Sequence, residues 1–90
     1  MARIEMAGAE MAPMVEPIVN ADGLFELGII YSTGREVPAD LVAAHKWFNL
    51  AAVKGSREAA AHRQEIAQEM TAADIAEAQR AAREWLRSHH

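Results

Sequence analysis

The stretch from Leu27 to Ala59 constrains this chain more than any other. It reads Leu27-Gly28, Tyr31, Gly34, Val37, Asp40, Ala44, Trp47, Ala51-Ala52, Gly55 and Ala59. Small residues and aromatics recur at helical offsets, and a glycine stands where each helix should stop. The pattern predicts a helix, a tight turn and a second helix packed back on the first. Nothing in the chain alternates with period two, so the fold class is all-α, built of antiparallel α-hairpins with about four helices.

The first helix is predicted to start at Asn20, a good N-cap, with Asp22 in the positive first turn. Leu24, Leu27 and Tyr31 share a face that Phe25 and Ile29 widen. Gly28 costs up to ~1 kcal/mol against alanine inside a helix, which implies close approach of a neighbour, taken to be helix two near Ala44. Gly34 ends the helix, and Arg35-Glu36 turn. Val37 plugs the space between the helices, and Pro38 and Asp40 are expected in the first turn of helix two. That helix should run to about Lys54, with Leu41, Ala44, Phe48 and Ala51 as one stripe and Trp47 and Ala52 beside it. Leu27, Tyr31 and Trp47 are expected to fill the groove between the two helices. Burying Leu27 or Trp47 is worth about 1.5–3 kcal/mol each. Gly55 closes helix two and Ser56 caps the third, at about 57–69. Ala51, Ala52 and Ala59 would let these two cross at short range. Thr71 to Asp74 open the fourth helix in the manner of a capping box. Ile75, Ala78, Ala82, Trp85 and Leu86 form its apolar side, and Arg80–Glu84 an i,i+4 ion pair.

The central stretch resembles the Sel-one-like repeat, a member of the tetratricopeptide-like α-solenoid group. The matching residues are Leu27, Gly28, Tyr31, Gly34, Val37, Asp40, Ala44, Trp47, Ala51, Ala52, Gly55 and Ala59, in register. One departure is Glu36, where the family usually has glycine. The next unit does not repeat: Arg63-Gln64 stand where Leu-Gly should be, and Ala67 where Tyr should be. The resemblance implies a fragment of a right-handed α/α superhelix over residues 20–88, with a divergent capping hairpin at about 56–88. Gln64, Glu65, Gln68 and Glu69 suit the polar outer face of a terminal unit. It also implies scaffold or adaptor work; no catalysis and no cofactor are expected, because the motifs for them are missing from the residues. The contact face is assigned to Glu26, Ile30 and Thr33 of helix one, with Phe25 and Ile29 at the open end of the repeat. The alternative is a structural unit that self-associates as a homodimer to cover that open end, since stacked repeats usually need three or more copies.

Residues 1–19 are read as a partly ordered arm with a short helix over 3–11, because Pro13 and Pro17 break longer ones. Four of the five methionines lie in this arm, and methionine adapts to irregular surfaces, so pairing with a second copy is the other reading. Met6, Met11 and Met14 are each alternative starts, and a fragment of a longer chain is equally consistent. Residues 89–90 are a tail.

Ninety residues bury roughly 60% of their unfolded surface, a thin margin. The net charge of −4 and the lack of any basic run disfavour nucleic acid. No apolar run reaches the ~20 residues that span a bilayer, and Glu5 and Glu10 spoil a signal peptide, so a cytoplasmic location is expected. There is no cysteine. Glu58, His62 and Glu65 lie at i, i+4, i+7, yet a metal wants further ligands and a second shell; they are read as surface residues. His45 is read as solvated or edge-packed. Ser56 and Thr71 are explained as caps and Ser32-Thr33 as a helix end, which leaves no nucleophile. Neither a phosphate loop nor a paired-carboxylate site is present.

Overall fold

The computed structural model describes residues 20–89. Four helices follow one another: α1 Ala21–Thr33, α2 Leu41–Val53, α3 Arg57–Ala67 and α4 Ala72–Ser88. No strand occurs among the described residues, and the fold is all-α. The arm reading of residues 1–19 lies outside them.

Each helix starts where a short polar side chain takes up an orphan amide. Asn20 Oδ1 accepts from Gly23 N–H at 2.8 Å, Ser56 Oγ from Ala59 N–H at 3.0 Å, and Thr71 Oγ1 from Asp74 N–H at 3.0 Å. Asp40 differs from expectation. It is the N-cap of α2, extended at φ −150° and ψ 102°, and accepts from Ala43 N–H at 3.1 Å. Pro38 consequently lies in the loop, before the helix. The loop is tied back by Asp40 N–H, which donates to the Tyr31 carbonyl at 2.9 Å.

The helix ends follow the glycines. Gly34 is left-handed at φ +75°, and both its N–H and that of Arg35 donate to the Ile30 carbonyl. After α2, Gly55 at φ +111° lets Ser56 N–H reach Ala51 O at 3.0 Å, while its own N–H reaches Ala52 O at 2.9 Å. That pair of bonds is a Schellman closure. α3 stops two residues short of the predicted Glu69. The amides of Gln68, Glu69 and Met70 bond three residues back, to Glu65, Ile66 and Ala67, and so tighten the last turn out of α-geometry.

α2 is the centre of the packing. It meets α1, α3 and α4, whereas α3 and α4 do not pack along each other and α1 touches α3 only lightly. The expected second hairpin is therefore not a self-packed unit: α4 docks on α2 directly. Being covered on three sides, α2 buries more than one stripe. Ala44, Phe48, Leu50 and Ala51 are fully enclosed, together with Leu24, Ala59 and Ala78, and nearly so Ala82. Leu50 is an addition to the predicted core. Leu27 is a correction: it is half-buried and outside the core cluster. Leu24 and Gly28 face α2, and Leu27 sits about 100° round the helix from Gly28. Tyr31 and Trp47 pack on the cluster from its edge.

Candidate functional site

Gly28 explains itself through one ring. A Cβ placed there would lie 2.4 Å from Cδ1 and Cε1 of Phe48, whose side chain is fully buried. The close neighbour is thus the Phe48 ring, where the sequence pointed to the backbone near Ala44. Ala44 is itself buried in the same cluster. Of the other repeat positions, Asp40, Gly34 and Gly55 serve as cap or left-handed turn, and Ala51 and Ala59 are fully enclosed. Ala52 and Val37 are half-buried. Glu36 adopts φ +73°, a conformation that favours glycine.

The five residues assigned to partner contact divide. Phe25 and Ile29 are half-buried and pack on the molecule's own core. Phe25 lies 5.7 Å from the Phe48 ring and meets His62 edge-on at 5.1 Å. Their expected exposure at an open end is corrected by these contacts; among the described residues the exposed large hydrophobic side chain is Val53. Glu26 is exposed and pairs with Arg35. Thr33 is exposed, with its hydroxyl donating to Ile29 O at 2.7 Å, and Ile30 is half-buried. Glu26, Ile30 and Thr33 therefore share the side of α1 turned from the core. The Arg80–Glu84 pair is not formed; Arg35–Glu26 is the ion pair among the described residues.

Glu58, His62 and Glu65 do not converge. His62 Nδ1 is 2.9 Å from the Glu58 main-chain carbonyl, and its ring also packs 5.3 Å from Phe48. Among the described residues no three His, Asp or Glu side chains are grouped to hold a metal. Ser32 and Thr33 hydroxyls donate to the Ile29 carbonyl, as helix-end side chains do.

Two features were missed. Trp47 and Trp85 were assigned to separate apolar stripes; they meet edge-to-face at 6.1 Å across the α2–α4 contact. Lys46 Nζ sits 4.2 Å over Trp47, and His89 stacks on Trp85 at 4.0 Å. Such tilted and stacked pairs add about 0.5–1.5 kcal/mol beyond burial. No local signal in the sequence links the two tryptophans. The second is His45, read as solvated or edge-packed and in fact 3% exposed. Burial lowers its pKa from the ordinary histidine value, and the positive charge of Arg63 lowers it further. Arg63 of α3 donates to Asn49 Oδ1 at 2.6 Å, one turn along α2 from His45.

No helix among the described residues is long and apolar enough to cross a membrane. Comparison of the chain with protein-family models, curated proteins and solved structures gave no match.

Proposed function

We propose that this chain is a non-catalytic protein-interaction module, a scaffold or adaptor built on one Sel-one-like repeat with a divergent C-terminal end, in the manner of a tetratricopeptide-like superhelix fragment. One observation carries the reading. Seven of the twelve residues that match the repeat occupy positions with a steric or capping requirement: Gly28 under the Phe48 ring, Gly34 and Gly55 at positive φ, Asp40 as N-cap, and Ala44, Ala51 and Ala59 enclosed. The histidines, serines and threonines of the described helices are occupied in packing and capping, which supports a non-catalytic role.

The contact face on this reading is Glu26, Ile30 and Thr33 of α1, an unbroken strip of one helix offered to a peptide or helix. Quantitative co-purification with the wild-type chain and with an Ile30→Arg/Thr33→Arg variant tests it, with melting curves confirming that both are folded. Partners that vanish only with the variant support the reading, whereas identical partner sets from both chains overturn this face. Self-association as a homodimer has weaker support, because Phe25 and Ile29 already pack on the chain's own core. Sedimentation at micromolar concentration separates the two.

A further inference from the structure

Among the described residues, one buried side-chain nitrogen or oxygen has no hydrogen-bond partner: His45 Nδ1. The imidazole is 3% exposed. A neutral ring has one N–H donor and one acceptor nitrogen, whereas an imidazolium has two N–H donors, each in need of an acceptor. Asn49 stands one turn along α2 from His45, and its Oδ1 accepts from the Arg63 guanidinium. Arg63 is also the charged group that acts on the ring, and it is a cation. Lys46 stands next to it in sequence with its ammonium over Trp47. His62 of α3 has its Nδ1 against the Glu58 carbonyl and its ring between Phe25 and Phe48. A second proton on His45 would thus be desolvated and faced by a like charge, with a backbone hydrogen bond as the opposing influence.

We propose that His45 is an acid-operated latch on the α2–α3 contact. Protonation of its imidazole releases α3 from α2 and leaves the α1–α2 hairpin closed. α3 is the element that moves because its departure removes the Arg63 cation and admits water to Nδ1 in one step. Its hold on the core is small: of its residues only Ala59 is fully enclosed, with Ile66 packed at the edge. The open state binds the proton more tightly than the closed one, because the ring regains an ordinary pKa once hydrated. The closed form is therefore fully favoured above about pH 6.5 and loses ground as pH falls below it, with an opening constant rising up to about tenfold per pH unit.

The test is hydrogen exchange of the full chain at pH 7.5 and pH 5.0, each corrected for the intrinsic exchange rate, on the wild type and on His45→Gln, Arg63→Gln and His62→Gln. The expected result is a loss of α3 protection at pH 5.0 of up to about thirtyfold in the wild type, with α1 unchanged. His45→Gln removes the pH dependence, Arg63→Gln reduces it and His62→Gln retains it. Unchanged α3 protection in the wild type, or a pH dependence that survives His45→Gln, overturns the proposal. Should His45→Gln fail to fold, an NMR titration of the wild-type imidazole signals decides. Protonation of His45 that coincides with loss of α3 protection supports the latch, and protonation in the ordinary range with α3 still protected overturns it.

Discussion

On its α1 side, α2 meets a glycine: the Phe48 ring occupies the space a Gly28 side chain would need, and the contact is apolar on both sides. On its α3 side the same helix brings its own Ala51 into the core with Ala59, receives Arg63 in a hydrogen bond to Asn49, and carries the buried His45, whose Nδ1 has no partner. The first contact is fixed by shape, which does not change with pH or salt. The second depends in part on polar groups whose worth changes with protonation and hydration. With the proposed latch, one central helix carries a pH-independent side and a condition-dependent side.

The largest effect is expected from attacking the shape-fixed side. Gly28→Leu should cost about 3 kcal/mol or more through overpacking against an enclosed ring, and abolish a cooperative melt. Gly28→Ala sharpens the point. Alanine favours helix over glycine by up to ~1 kcal/mol, yet its Cβ would fall 2.4 Å from two ring carbons, so thermal melting should show a net loss. A Gly28→Ala variant that melts higher than wild type would mean the ring moves aside freely and the contact is not shape-fixed. On the polar side, Asn49→Ala removes the acceptor for Arg63. We expect a loss of about 1 kcal/mol in urea titration, with hydrogen exchange raised in α3 and not in α1. The smallest effect belongs to the turn that joins the hairpin. Glu36→Gly replaces a side chain held at φ +73° and should stabilise by about 0.5 kcal/mol, a rise of roughly 2–4 °C in Tm.

The two sides also differed in how far the sequence disclosed them. Asn20, Gly34, Gly55, Ser56 and Thr71 were legible because a cap or a left-handed turn is a transaction between residues a few positions apart. Glu36 was flagged as the departure from glycine, and its positive φ shows why glycine suits the place. Gly28 was recognised as needing a close neighbour, but which neighbour depended on the rotation of α2. His45, Leu50 and the Trp47–Trp85 pair stayed hidden for a common reason. Helical periodicity assumes one buried face, and α2 has three covered sides once α4 docks on it. Arg63–Asn49 likewise joins two helices across a turn, with no spacing rule to announce it. Phe25 and Ile29, expected to be uncovered at the open end of the repeat, pack instead on the chain's own core.

The radial arrangement of helices on α2 bears on how the domain comes apart. α1, α3 and α4 lean on a common partner and scarcely on one another. Loss of any one of them strips a flank of α2 without removing what the other two rest on. Partial openings of the three are then nearly independent events, each with its own free energy, while disruption of α2 is global. A binding event that grips α1 would have little leverage on α4 unless it shifts α2 itself. The path from the Glu26 face to the tryptophan pair runs through the body of that one helix.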